Sequence, residues 1–192
     1  SSDLISDAAS KGLPAAVQAL FVSGALRMGS GFQTKITSLI SRLNNLIYDT
    51  FPYERFVTLC YCELTHSASG LTLYCNAGHC SPIHYKADSG ECSSLEPTGS
   101  ILGIAQHQKF SVEGVNLHRG DILLMYTDGI VEAQNENEEQ FGEERIRKIL
   151  REHTHDSART LAYRLLEEVQ TFSAHGSYSD DRTIVVIKRD QF

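Results

Sequence analysis

The 192-residue sequence contains no apolar run close to the roughly 20 residues that a membrane-spanning helix needs. It also lacks an excess of basic residues, since 17 Lys and Arg stand against 24 Asp and Glu and give a net charge of −7. Because nucleic-acid phosphates select Lys and Arg patches, nucleic acid is not expected as a partner. The shortage of convergent basic residues also disfavours one alternative, a metal-dependent phosphohydrolase that acts on a small molecule such as a nucleotide.

Paired cysteine spacing is absent as well. The five cysteines are odd in number and lack the C-x-x-C spacing of a zinc site, although Cys60 and Cys62 share one face of a predicted strand. All five lie in apolar, strand-like segments, and we interpret them as reduced thiols that pack like small hydrophobic side chains. Reduced thiols indicate a cytoplasmic location. The cysteines are Cys60, Cys62, Cys75, Cys80 and Cys92.

The length and composition predict one globular domain over residues 1–192, because the hydrophobic share is 41% and the charged share is 21%. The chain begins Ser1-Ser2-Asp3 without Met, so we expect the native start to lie upstream. A sensor or membrane segment there would make this chain the cytoplasmic part of a larger sensor protein. Contact with a membrane is expected only through such a segment.

The N-terminal part predicts a strand over residues 3–7 and then two helices. Pro14 suits the first turn of the first helix, and Gly29 to Gly31 should end it. An apolar stripe at helical spacing marks one face of this helix: Leu13, Ala16, Val17, Leu20, Phe21 and Gly24. A second amphipathic helix carries Ile36, Leu39, Ile40, Leu43, Leu46 and Ile47 on one face.

The remainder predicts an antiparallel meander, followed by two helices and a closing strand, which together indicate an α+β fold. The predicted strands are 56–63, 71–76, 83–86, 109–115, 121–127 and 182–189. The predicted helices are 142–152 and 157–172, after a polar loop at 134–139.

Aspartates stand where apolar strands meet turns at Asp7, Asp128 and the pair Asp180-Asp181. Carboxylates placed in this way can converge at one edge of a sheet and hold divalent cations. Each also has a purely structural interpretation: Asp7 could cap a helix, Asp128 could form a turn with Gly129, and the pair could begin an exposed strand.

These motifs have a recognisable order along the chain. The ordered set is Asp7 to Ala16, Phe56 to Leu59, Asn76 to His79, Pro97 to Gly103, Gly120 to Ala133, Phe141 to Arg145 and Asp180 to Thr183. With this set the chain resembles the bacterial SpoIIE/RsbU branch of the PPM (PP2C-like) serine/threonine phosphatases.

The resemblance implies an αββα sandwich of two antiparallel sheets flanked by helices, with a site for two Mn²⁺ or Mg²⁺ ions between the sheets. It implies hydrolysis of phosphoserine or phosphothreonine on a STAS-domain protein of the anti-anti-sigma type, in a bacterial partner-switching pathway. It also implies a sensor region in front of the domain and a homodimer through the helices at 13–47.

The resemblance assigns site roles as well. Asp7, Asp128 and Asp180 are implied as catalytic metal ligands, with the Ala8 carbonyl beside them, while Asp181 either binds a metal or orients the surrounding water. Two ions about 3.5–4 Å apart would lower the pKa of a bridging water and clamp the phosphate. Two further residues stay open. His79 is either a proton donor or a packed histidine, and Lys11 either meets the phosphate or is a solvated turn residue.

The sequence departs from the family at two places. A preceding strand with a Gly-Gly-Asp motif, which supplies a bridging aspartate in the family, is not in this sequence, either because the chain starts after it or because the sequence has diverged, so the domain is expected to lack its first strands. Ser10 stands where the family has Gly, and serine would be strained there if the turn requires a positive φ. Both departures support an alternative: an inactive or impaired pseudo-phosphatase that acts as a regulatory binding module.

Overall fold

The computed structural model describes residues 2–8, 12–30, 35–52, 54–65, 69–176 and 180–190. The strands are β1 (Ser2–Ala8), β2 (Val57–Leu64), β3 (Leu71–Ala77), β4 (Ile83–Tyr85), β5 (Cys92–Ser94), β6 (Glu113–Asn116), β7 (Ile122–Tyr126) and β8 (Ile184–Lys188). The helices are α1 (Leu13–Ser30), α2 (Ile36–Thr50), α3 (Asp128–Val131), α4 (Gly142–Glu152) and α5 (Ala158–Phe172).

The chain divides into two compact units. The first contains Ser1–Thr65, Thr72–His79 and Pro97–Val115, and the second contains His66–Leu71, Cys80–Glu96 and Asn116–Phe192. The expectation of one domain over residues 1–192 stays a prediction. In the part of the chain that the structure describes, no helix is long and apolar enough to span a bilayer.

The first unit is built on a four-stranded sheet in the order β1-β2-β3-β6. The β1–β2 and β2–β3 pairs are antiparallel, and Asp7 lies opposite Thr58 in this register. Helix α2 buries five of the six residues of its predicted apolar face, Ile36, Leu39, Ile40, Leu43 and Ile47, whereas the prediction is wrong for Leu46, which is 43% exposed. The core of this unit includes Val22, Ile40, Leu43, Ile47, Val57, Leu59, Tyr61, Cys75 and Leu102.

Helix α1 presents a different face from the one that the apolar stripe suggests. Leu13 is 77% exposed and Leu20 is 74% exposed, although both belong to the predicted stripe. The face that packs inward contains Val22 and Leu26, together with the fully buried Gln18. Gln18 Nε2 donates to the Arg55 carbonyl at 2.8 Å, which satisfies half of the buried amide, while its Oε1 has no hydrogen-bond partner among the described residues.

The second unit is built on a four-stranded sheet in the order β5-β4-β7-β8. All five residues of β7 are buried, as is typical of a central strand that is covered on both faces. Helices α4 and α5 match the predicted helices, whereas the short strand β5 was not predicted. The core of this unit includes Ile83, Ile122, Leu124, Tyr126, Ile130, Phe141, Ile146, Leu150, Leu161, Leu165 and Val169.

Candidate functional site

Asp128 lies directly after the central strand β7. The chain leaves β7 at Tyr126 and begins the four-residue helix α3 at Asp128, a helix that the sequence analysis did not predict. The Glu132 amide donates to the Asp128 carbonyl at 2.8 Å, which closes this short helical turn. Asp128 is therefore half-buried at a fixed position at the end of the strand.

The Asp180–Asp181 segment is hydrogen-bonded to the residue that precedes Asp128. The Thr127 hydroxyl donates to the Asp181 carbonyl at 2.9 Å and accepts from the Thr183 amide at 3.0 Å. The Thr127 amide in turn donates to the Thr183 carbonyl at 3.1 Å. These three bonds join two acidic segments that are more than 50 positions apart in the sequence.

Gly129 completes this contact. A Cβ atom at this position would lie 2.4 Å from the Asp181 carbonyl oxygen and 2.8 Å from that of Asp180, both of which are far too close. Only glycine permits this approach. The structure thus places Asp128 and the backbone of the Asp180–Asp181 pair side by side in the second unit. Both residues of the pair are exposed, and the Asp181 amide donates to Asp180 Oδ1 at 3.1 Å.

The structure places Asp7 and Ala8 at the end of β1, in the first unit. Asp7 is half-buried, and its Oδ1 accepts a hydrogen bond from the Ala8 amide at 2.9 Å. Lys11 and Ser10, which the sequence singled out, lie outside the described residues.

His79, which follows β3, is a buried and hydrogen-bonded histidine at a strand end. Its Nδ1 lies 2.8 Å from the hydroxyl of Thr58, the strand partner of Asp7. Its amide donates to Asn76 Oδ1 at 2.8 Å, and Asn76 Nδ2 donates back to the His79 carbonyl at 3.1 Å. This geometry matches the packed-histidine interpretation.

A polar network beside Asp128 was missed by sequence reasoning. The Tyr126 hydroxyl donates to Glu143 Oε1 at 3.0 Å, and Glu143 Oε2 accepts from Arg147 at 2.8 Å. Burial and then the Glu143 carboxylate raise the pKa of Tyr126 well above its ordinary value. Burial and then the charge of Asp128 raise the pKa of the Cys80 thiol to about 11. The phenol and the thiol are therefore both neutral at physiological pH.

The only sequence signal for this network was the Phe141 to Arg145 motif. Phe141 is buried edge-on against Phe172, with 5.4 Å between ring centroids. Arg145 donates to the Phe141 carbonyl at 2.7 Å and lies 4.6 Å above the Phe172 ring. The motif therefore fixes the start of α4, where Glu143 meets Tyr126, the last residue of β7.

Asp128 and the Asp180–Asp181 pair together form what we call the acidic corner. Its carboxylate oxygens suit hard divalent cations, because they are the ligands that Mg²⁺ and Mn²⁺ prefer. Among the residues that the structure describes, however, no group of three or more His, Cys, Asp or Glu side chains is arranged to hold a metal ion. The second unit thus contributes two adjoining acidic segments that fit part of a metal site. The assignment of Asp7, Ala8, Asp128, Asp180 and Asp181 as ligands stays a prediction.

Comparison with known proteins identifies the family. The sequence profile described as Stage II sporulation protein E (SpoIIE) matches residues 4–190, which is nearly the whole chain. The chain belongs to the SpoIIE family. This SpoIIE-family chain is 29% identical over 191 residues to the phosphoserine phosphatase RsbU of Bacillus subtilis (strain 168), a match that covers 96% of the chain and 54% of RsbU. The chain therefore spans about half the length of that relative.

Solved structures confirm the predicted PP2C-like α+β fold. The SiaA-PP2C domain of Pseudomonas aeruginosa aligns with a TM-score of 0.84 at 15% identity, over 98% of the SpoIIE-family chain and 76% of that domain. The RsbU and RsbW domains of Rv1364c from Mycobacterium tuberculosis align with a TM-score of 0.79 at 24% identity, over 98% of the chain and 51% of that protein. At these identities the likeness establishes the fold.

Proposed function

We propose that this chain is a divalent-metal-dependent phosphoprotein phosphatase that hydrolyses phosphoserine or phosphothreonine with a metal-activated water. The observation that carries the proposal is that Thr127 and Gly129, the two neighbours of Asp128, both contact the Asp180–Asp181 segment. Membership of the SpoIIE family and the likeness to a phosphoserine phosphatase support it.

The proposed metal site takes two Mn²⁺ or Mg²⁺ ions. Asp7, Asp128 and Asp180 would be the carboxylate ligands, with the Ala8 carbonyl beside Asp7 and with Asp181 either binding a metal or orienting water. When bound, such ions supply an activated water and neutralise the charge of the phosphate. The role of the chain's own residues is to hold the carboxylates at fixed positions. The turn between β7 and α3 holds Asp128 in this way.

The proposed substrate is a phosphorylated STAS-domain protein of the anti-anti-sigma type, in a bacterial partner-switching pathway in the cytoplasm. Two comparisons support this class of substrate: the relative named RsbU, and Rv1364c, which carries RsbU and RsbW domains in one protein.

A second copy of the chain is also a proposed partner. It would bind through the helices at 13–47. Helix α1 supports this proposal because it exposes Leu13, Val17, Leu20 and Met28, which are 50% to 77% accessible. An exposed apolar face of this kind marks an interaction surface more often than a solvated one.

One observation favours a second candidate function. The absence of a three-ligand cluster among the described residues fits a pseudo-phosphatase, which would bind a regulatory partner without turning it over. In that case the acidic corner would be a remnant of the fold, and Asp128 would serve only as a turn residue.

Calorimetric titration with Mn²⁺, followed by hydrolysis of p-nitrophenyl phosphate in the same sample, decides between the two. A phosphatase should bind Mn²⁺ saturably and turn over, and Asp128→Asn should abolish both while preserving the fold, because it removes a ligand charge and little volume. The control Asp88→Asn changes an exposed turn residue and should behave like the parent. Absence of both binding and turnover in the parent would mean that the site is incomplete in this chain, and continued inactivity after the family's Gly-Gly-Asp segment is restored would support the pseudo-phosphatase. Equal activity in the parent and Asp128→Asn would refute the ligand assignment.

A further inference from the structure

Thr127 is a buried polar residue that no role in the proposed chemistry explains. It is 4% exposed, and it stands between the end of β7 and Asp128. Buried hydroxyl groups are retained where their hydrogen bonds do specific work, because desolvating an unpaired hydroxyl is costly. Here the hydroxyl uses both its donor and its acceptor capacity on the acidic segment that contains Asp181.

The hydrogen bonds of Thr127 begin where the β7–β8 strand pairing ends. The β7–β8 ladder ends with the pair Tyr126 and Ile184, so the residues before Ile184 are outside the regular strand pairing. Thr127 extends the connection beyond the ladder, through one backbone bond and two side-chain bonds to Asp181 and Thr183. The Thr127 side chain is therefore a direct attachment of the segment that contains Asp181, in addition to the bond that Arg182 donates to Ser173 Oγ at 2.7 Å.

We propose that Thr127 is a positioning residue, whose hydroxyl fixes the Asp180–Asp181 segment against Asp128 in the proposed metal site. The expected effect of Thr127 on metal binding rests on the proposed function. Metal ligands must be held to within about 0.5 Å of their productive positions, and a segment outside the strand pairing needs side-chain bonds such as those of Thr127 to hold it there. Gly129 provides the space for the approach, and Thr127 provides the attachment.

Substitution of the hydroxyl alone tests the proposal. Thr127→Val keeps the shape and the β-branch but removes both side-chain bonds, whereas Thr127→Ser keeps the hydroxyl and loses only a methyl group. If Thr127 acts as proposed, Mn²⁺ affinity measured by calorimetry should fall roughly 10- to 100-fold in Thr127→Val, as for other residues that orient metal ligands. Affinity should return toward the parent value in Thr127→Ser.

Two further measurements distinguish the positioning role of Thr127 from a merely structural one. Thr72→Val changes another buried threonine, in β3 of the other sheet, and should cost stability without changing Mn²⁺ affinity. Amide hydrogen exchange of the metal-free protein should be faster at Thr183 in Thr127→Val and normal in Thr127→Ser.

The outcomes separate the two proposals. Unchanged exchange at Thr183 in Thr127→Val overturns the positioning role, and so does unchanged Mn²⁺ affinity in that variant when the parent binds. If the parent itself binds no Mn²⁺, the proposed function fails. The exchange measurement then still decides whether the hydroxyl fixes the acidic segment, because it needs no metal.

Discussion

His84 Nε2 lies 2.9 Å from Asp121 Oδ2, and the two side chains are 3% and 1% exposed. The same carboxylate accepts hydrogen bonds from the amides of Ala87 and His118, each at 2.8 Å. Every bond to this buried carboxylate comes from a segment next to β4 or β7, so Asp121 ties the two strands together where β7 begins. Asp128 follows the same strand at its other end, and the two acids therefore have separate tasks.

Asp121→Asn should destabilise the fold without touching the proposed metal site. The Asn amide group cannot accept all three bonds from His84 and the two backbone amides, and leaving a buried donor unpaired costs about 1–3 kcal/mol. We expect a loss of that order in the free energy of unfolding, measured by urea denaturation, with Mn²⁺ affinity retained in the folded protein. Asp88→Asn, on the exposed turn, should stay within about 0.5 kcal/mol of the parent. Equal stability of the two variants would contradict the structural role.

Gly129→Ala should disturb the acidic corner by sterics alone. The new methyl group would lie 2.4 Å from the Asp181 carbonyl oxygen, so the Asp180–Asp181 segment must move away from Asp128. We expect loss of Mn²⁺ binding and of phosphatase activity in a protein that still folds. The matched control is Gly24→Ala in α1, where a Cβ meets nothing within 4 Å and should stabilise the helix by up to about 1 kcal/mol. Normal Mn²⁺ binding by Gly129→Ala would show that the close approach is irrelevant to the site.

Leu20→Lys should disrupt the proposed homodimer. Leu20 is 74% exposed on the apolar face of α1, and a lysine in a buried interface would carry an uncompensated charge. Sedimentation velocity should show a dimer for the parent and a monomer for Leu20→Lys. Tyr163→Lys, on an exposed position of α5, should remain dimeric. A monomeric parent, or a dimeric Leu20→Lys, would exclude this face as the interface.

The thiols of the first sheet should make the fold sensitive to alkali. A hydrogen bond with Cys62, together with burial, raises the pKa of Cys60, and burial raises the pKa of Cys75, both above the ordinary value of 9.0. The unfolded chain therefore ionises first as the pH increases. The stability that these thiols contribute is complete below pH 9 and is lost above it.

Urea denaturation at neutral and alkaline pH tests this expectation. The parent should lose stability on alkalinisation more steeply than a Cys60→Ala/Cys75→Ala double variant, which has no buried thiol to ionise at those two positions. Cys92→Ala, at a partly exposed position, should follow the parent more closely. Parallel pH profiles for the parent and the double variant would refute this explanation.

Helices α2, α4 and α5 could be predicted from the sequence because each has a single apolar face, so that periodicity and burial agree. Helix α1 was also predicted, but its buried face was not, because it has apolar residues on two faces and its inward face contains Gln18. Periodicity reports that a stripe exists, but it does not report which stripe the rest of the protein covers. The inward face includes Gln18, whose hydrogen-bond partner, the Arg55 carbonyl, lies 37 positions away in the sequence.

The candidate site, too, could be predicted from the sequence only in part. Asp128 and Asp180 could be selected from the sequence because each follows or precedes an apolar strand within a recognisable motif. The contacts that bring the two segments together could not be predicted, since they depend on the β7–β8 pairing and join positions 54 to 56 residues apart. The His84–Asp121 pair was missed for the same reason, and β5 was missed because three polar or small residues give no strand signal.

The bond that Asp181 makes to Thr127 uses its backbone carbonyl, which every amino acid possesses. The attachment of the segment to Thr127 therefore does not depend on the side chain at position 181. It does depend on the residues at positions 127 and 129. Exchanging the carboxylate at 181 for an amide or a hydroxyl would change the local charge and leave the attachment in place. For protein engineering, position 181 is thus a point at which the local charge of the proposed metal site could be altered while its framework is kept.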